Sequence, residues 1–163
     1  ELIVQKLFGT LSGKKIAILG FSFKANTNDT RESAAIQISK NLLIEGAELI
    51  IHDPIVTKKQ IEIALRSNEP INSEKINNEI CYEGGNTWDV TNDLSTVFKN
   101  AYAVGILNEW VDYAKIDWIA SSKVMKKPAW VFDARSIVDK DKVVASGLNF
   151  WSIGDGTNPS LLN

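Results

Sequence analysis

The sequence predicts a doubly wound α/β fold: a mostly parallel, Rossmann-like sheet with helices on both faces. Two observations carry this expectation. Short, continuously apolar, β-branched runs alternate with segments of helical periodicity, and cap or turn residues separate one kind from the other.

In chain order, Leu2, Ile3, Leu7, Phe8 and Leu11 are spaced as on a helix, and Ser12-Gly13 breaks the pattern. Residues 1–13 therefore read as the end of a linker helix. Residues 14–153 read as the α/β domain, and 154–163 as a frayed tail. Lys15 to Leu19 is apolar throughout its interior, as expected of a strand buried on both faces. Gly20 ends it, and the loop Phe21 to Asn28 follows. Asp29 and Thr30 supply an N-cap, with Glu32 completing a capping box; Ala35, Ile38, Leu42 and Leu43 form the helical stripe and Gly46 the C′ stop. Glu48 to His52 is the next strand, closed by Asp53-Pro54, which completes a βαβ unit.

Ile55 to Leu65 reads as a second helix. Arg66 to Asn86 is a polar, Asn-rich excursion with Gly84-Gly85 and a short strand near Ile80 to Tyr82. Asp93 or Asn92 caps a helix through Lys99. The remaining elements are a strand at Ala101–Leu107, a helix at Tyr113–Ser122, a strand at Trp130–Asp133, a helix at Asp139–Ser146 and a strand at Leu148–Ile153.

Composition excludes several classes of function. A net charge of −2 leaves no electrostatic footprint for nucleic acid. No apolar run approaches the roughly 20 residues of a membrane span, and no membrane partner is expected. One histidine (His52) and one cysteine (Cys81) make a structural zinc site an unpromising reading, so no metal is expected. A lone cysteine forms no internal disulfide, in keeping with a cytoplasmic location. The first residue is Glu1 and the only methionine is Met125, which leads to the expectation of a longer parent protein.

In an open α/β sheet ligands bind beyond the C-terminal strand ends. That rule selects three loops: one holding Lys24 and Arg31, one holding Asn108, Glu109 and Trp110, and one holding Asp133 and Arg135. The first loop has a single glycine, Gly20, where a dinucleotide fingerprint needs G-x-G-x-x-G. Lys24 and Arg31 are either donors to phosphate beside a helix N-terminus or solvated surface cations. Arg135 is either a phosphate or base donor or a salt-bridge partner of Asp133. His52 is either a base or a packed, capping histidine. Cys81 has no activating neighbour in the sequence, and the five tryptophans read as core and interface residues. No catalytic residue is expected in this chain.

The segment Lys14 to Ser33 resembles the opening of the C-terminal domain of UDP-glucose 6-dehydrogenases, approximately G-[FLWY]-[AS]-F-K-x-x-T-x-D-x-R-x-S. The resemblance continues through Glu45-Gly-Ala, His52-Asp-Pro54, Glu109-Trp110 and Phe132-Asp-Ala-Arg135, with Arg66 to Thr87 matching least. Such enzymes oxidise the sugar C6 alcohol twice, reducing two NAD. An N-terminal domain holds NAD, a central region carries the catalytic cysteine, lysine and aspartate, and the C-terminal domain closes over the nucleotide.

The resemblance implies that Phe23, Lys24 and Arg135 contact the UDP-sugar, that Arg31 reaches towards NAD, and that Cys81 is not the nucleophile. It also implies the remainder of the same polypeptide and a homo-oligomer as partners, and NAD as a cofactor bound mainly elsewhere. Ala25 and Asn26 stand where many members carry Lys or Asp. The alternatives are a dehydrogenase of another UDP- or GDP-sugar, a stand-alone nucleotide-binding or regulatory module, and a purely structural domain.

Overall fold

The computed structural model describes residues 1–66, 75–76, 79–80 and 87–154. Strands β1 (Lys15–Leu19) and β2 (Glu48–His52) begin the main sheet. The short strands β3 (Lys75–Ile76) and β4 (Glu79–Ile80) pair antiparallel with each other. Strands β5 (Trp88–Val90), β6 (Ala103–Ile106), β7 (Trp130–Asp133) and β8 (Asn149–Ser152) complete the main sheet. Its order is β5-β2-β1-β6-β7-β8, and every neighbouring pair is parallel. The chain thus winds outward from β1 in one direction, then from β6 in the other. The reversal between β1 and β6 is the topological switch point.

The helices are α1 (Leu2–Lys6), α2 (Ala34–Ile44), α3 (Lys58–Arg66), α4 (Trp118–Val124) and α5 (Lys140–Ala145). Two cores flank the sheet, and alternate residues of one strand serve each. Ile16 and Ile18 of β1 join Leu42 and Leu43 of α2 and Ile61 and Leu65 of α3 in one core. Ala17 and Leu19 join Trp118 of α4 and Val143 of α5 in the other. Burial on both faces is why β1 reads as an unbroken apolar run rather than an alternating one.

Three expected boundaries differ, each for a local reason. Helix α2 starts at Ala34 rather than near Thr30, because its N-cap is Ser33, whose Oγ accepts from Ala35 N. Asp29 is not the cap: its carboxylate is taken by Arg31, and Glu32 at φ 58° interrupts any helical run before Ser33. Helix α1 ends early because Phe8 and Gly9 both adopt positive φ, although Leu7 and Leu11 remain buried. Helix α3 begins at Lys58 because Asp53 Oδ1 holds Ile55 N and Val56 N in a turn, each at 3.0 Å.

The segment after Asp93 forms successive turns instead of an α-helix, although Asp93 caps Ser95 N at 2.8 Å. Tyr113 to Ser122 is divided into a 3-10 turn at Tyr113–Lys115 and α4, which Asp117 caps through Ala120 N. The helix expected at Asp139–Ser146 is α5, with Asp139 as its N-cap, accepting from Asp141 N and Lys142 N. Glu79–Ile80 overlaps the expected short strand. Cys81, Tyr82, Gly84-Gly85 and the tail from Asp155 onward lie outside the described residues.

Candidate functional site

Two of the three strand-end loops, those after β1 and β6, meet at the carboxylate of Asp53, which is buried at the end of β2. Asp53 Oδ2 accepts from Phe21 N at 2.8 Å, Ser22 N at 3.1 Å and Trp110 Nε1 at 3.4 Å. Its other oxygen serves Ile55 N and Val56 N. Burial by itself would raise the Asp53 pKa. The backbone N–H groups of Phe21, Ile55, Val56 and Ser22 outweigh it and hold the carboxyl below its ordinary value. A buried carboxylate so supplied with donors behaves as a fixed template for loop shape rather than as an acid or base.

Ser22 and Asn108 close the gap between the β1 and β6 ends. Asn108 is fully buried; its Nδ2 donates to Ser22 Oγ at 2.7 Å and to Ser22 O at 3.0 Å. Ser33 Oγ also donates to Ser22 O, which fastens the start of α2 to the same point. A Cβ built on Gly20 would fall on the Asn108 Cβ, and Gly20 has φ +90°. Glycine is therefore required here for close approach and for conformation alike.

On this framework the predicted residues take different positions. Phe23 is 50% exposed, and its N–H donates to Asp29 O at 2.7 Å. Lys24 projects from the same loop, exposed and without an ion-pair partner among the described residues. Arg135 follows β7, and its Nε donates to Leu107 O at 2.9 Å and lies 3.5 Å from Glu109 Oε2. The Nη atoms donate no hydrogen bond among the described residues, so the outer edge of the guanidinium is available to a ligand. Asp133 is not the ion-pair partner of Arg135; it is buried and accepts from Arg135 N, Ile137 N and Val138 N. Lys24 and Arg135 thus rise from loops after β1 and β7, the two strands flanking β6.

Arg31 stands farther along the first loop. Its side chain is 87% exposed and forms a bidentate pair with Asp29, with Nη2 2.7 Å from Oδ2. That hydrogen bonding holds the Asp29 carboxyl at a pKa of about 2. So exposed a pair contributes little to stability and can exchange for another anion. Phe23, Asp29, Arg31 and Glu32 line one open depression. Because α2 starts at Ala34, neither Lys24 nor Arg31 sits beside a helix end at Thr30.

His52 is packed, not free to act as a base: it is buried, with Nδ1 3.1 Å from the Tyr113 hydroxyl, which itself donates to His52 O. Trp88, Trp110 and Trp118 are buried in the cores, in keeping with the reading of the tryptophans as core and interface residues. For a dinucleotide the first loop is a poor cradle. Its single glycine is closed against Asn108, and Phe21 is fully buried in the core. The Asp53–Ser22–Asn108 network gave no signal in the sequence, since neither burial nor partners can be read from an isolated Asn or Ser.

A family model, the UDP-binding domain of the UDP-glucose/GDP-mannose dehydrogenase family, matches residues 17–140. UDP-glucose 6-dehydrogenase 3 of Arabidopsis thaliana is 40% identical over 157 residues, covering 93% of this chain and 32% of the relative. UDP-glucose 6-dehydrogenase 1 of Glycine max is 39% identical over 164 residues, covering 98% and 33%. The chain therefore spans about a third of the length of these relatives.

Among solved structures, an NDP-N-acetyl-D-galactosaminuronic acid dehydrogenase from Methanosarcina mazei Go1 has a TM-score of 0.68 at 22% identity, over 93% of this chain and 26% of that one. A UDP-glucose dehydrogenase from Pyrobaculum islandicum has a TM-score of 0.61 at 21% identity, over 91% and 27%. At such identities these two speak for the fold alone. With the strand order, the switch-point loops and the family match in agreement, the chain belongs to the UDP-glucose/GDP-mannose dehydrogenase family, as its UDP-binding domain.

Proposed function

We propose that this chain grips the nucleotide of a UDP-sugar within a longer NAD-dependent UDP-glucose 6-dehydrogenase, and that it contributes no group to the oxidation at C6. The observation that carries the reading is the pair of cations at the switch point. Lys24 and the outer edge of Arg135 are free of protein partners among the described residues; the loop of the first is held by Asp53 and Asn108, and that of the second by Asp133. A diphosphate carries the complementary charge, and charge-assisted hydrogen bonds are the strong kind. Phe23, half-exposed beside Lys24, offers an apolar face to the uracil or sugar. Nucleotide binding, remote from C6, supplies the energy that positions the alcohol for oxidation elsewhere in the polypeptide.

NAD, the hydride acceptor of such an oxidation, finds no pyrophosphate cradle in the first loop, so in this reading it is held mainly outside this chain and touched here only by Arg31. The parent acts as a homo-oligomer in the cytoplasm, a setting that the single cysteine supports.

Titration with UDP tests the reading through amide shifts. Residues around Lys24 and Arg135 should move, GDP should compete weakly, and silence around both residues at millimolar UDP would overturn it. In the full-length protein, Lys24→Ala should raise KM for the sugar nucleotide by about tenfold or more, as loss of a charged contact worth roughly 1.5–3 kcal/mol requires. Arg31→Ala should weaken NAD more than the sugar nucleotide, and the reverse order would remove Arg31 from the NAD side.

A further inference from the structure

The carboxamide of Asn108 faces no candidate ligand, yet it joins the end of β6 to the loop that carries Lys24. Its two ends are both engaged. Nδ2 donates to Ser22 Oγ at 2.7 Å and to Ser22 O at 3.0 Å, while Oδ1 accepts from Glu109 N at 2.7 Å. Ser22 Oγ has one proton to give, and with Asn108 donating to it, that proton goes to Lys24 O at 3.0 Å or to Asp53 Oδ2 at 3.3 Å. The order of contacts is therefore Asn108, Ser22, then the Lys24 backbone. Nearby, Leu107 O receives the Arg135 Nε, and Glu109 faces the same guanidinium. Residues on both sides of Asn108 thus touch one proposed phosphate donor, and its own side chain reaches the loop of the other.

We propose that Asn108 is a positioning residue that fixes the Lys24 backbone relative to the β6 end, so that the two cations reach one diphosphate together. This rests on the reading of Lys24 as a phosphate contact. Burial makes the arrangement exact: Asn108 is fully enclosed, and its Cβ occupies the space that a side chain on Gly20 would need. The carboxamide therefore cannot drift without moving the loop. A buried amide serving stability alone would have no reason to act selectively on the phosphate end of the ligand.

The test is a double-mutant cycle in the full-length protein carrying this chain, with UDP and uridine affinities measured by calorimetry. Asn108→Ala should weaken UDP by about fivefold to tenfold, the loss of roughly one buried hydrogen bond's worth of positioning, while leaving uridine within about twofold. In a Lys24→Ala background it should cost UDP little more, because the residue through which it acts is gone. Equal losses for UDP and uridine, or full additivity with Lys24→Ala, would overturn the inference and leave Asn108 a stability residue.

Ser22→Ala removes the linking hydroxyl with little change in volume. It should reproduce the UDP-selective, non-additive loss at about threefold, and it carries the test if Asn108→Ala does not fold. A normal loss in Lys24→Ala beside unchanged UDP binding in Asn108→Ala overturns this inference alone. An unchanged Lys24→Ala overturns the phosphate reading and this inference with it.

Discussion

His52 and Asp53 are adjacent, both buried at the end of β2, and their protonation acts on stability in the same direction. Burial lowers the His52 pKa, outweighing the upward pull of the Asp53, Asp112 and Asp93 carboxylates. The unfolded chain therefore binds a proton at this histidine before the folded one does, and stability falls as pH drops below about 6.5. The Asp53 carboxyl is held below its ordinary value, so its contribution is complete above about pH 4 and disappears as pH falls through the folded pKa. Between pH 7.5 and 5 only the first of these windows is crossed. His52→Phe, which cannot titrate, should show a smaller fall in Tm over that interval than the unaltered protein. An identical fall would mean that His52 charges freely in the fold. The sequence left His52 open between base and packed residue. Only the Tyr113 hydroxyl, from a segment 61 residues away, decides the matter.

Elements were legible wherever burial on both faces writes a continuous apolar run. Strand β7 occupies Trp130–Asp133 as expected, and β1 and β2 keep their expected limits. The edge strand β5 escaped because it is three residues long with exposed Asp89 at its middle, so neither a run nor an alternation is long enough to register. Helix starts were legible only where a single acceptor competes for the N–H groups. At α5 Asp139 has no rival. At α2 an apparent capping box was offered by Asp29 and Glu32, but Arg31 captured the aspartate and Ser33 took the cap. The two caps differ in what they join, since Ser33 Oγ also donates to Ser22 O whereas Asp139 serves α5 alone. Asp139→Ala should therefore cost about 1 kcal/mol, a fall in Tm of roughly 2–4 °C, without disturbing UDP binding. Ser33→Ala should lower Tm and weaken UDP binding together. If thermal melts and UDP titrations show the two variants alike, α2 is not coupled to the loop through its cap.

At the scale of the whole molecule, the strand order brings the two halves of the winding together at one place. Strands β1 and β6 are neighbours in space but separated in sequence by the entire first half of the winding, which makes their ends the topological switch point. The strand-end rule selected the loops of Lys24, Asn108 and Arg135 from sequence. It could not reveal the buried contact between Gly20 and Asn108, since that proximity exists only once the two halves of the sheet are assembled. The molecule is therefore most sensitive where it carries the smallest side chain. Gly20→Ala introduces a Cβ into space held by the Asn108 Cβ, at a φ of +90° that L-residues rarely adopt. Left-handed backbone costs a non-glycine residue about 1–2 kcal/mol, and overpacking adds about 1–3 kcal/mol. Together these should lower Tm by roughly 5–15 °C for a domain of this size. The strain cannot be confined to β1, because Gly20 N also donates to His52 O at 2.8 Å and the displaced Asn108 holds Ser22. UDP affinity should therefore fall along with stability even at temperatures where the variant is fully folded. A variant melting within about 2 °C of the parent would mean that the β1 and β6 ends can separate without cost, and that the switch point is not the rigid floor on which the cations stand.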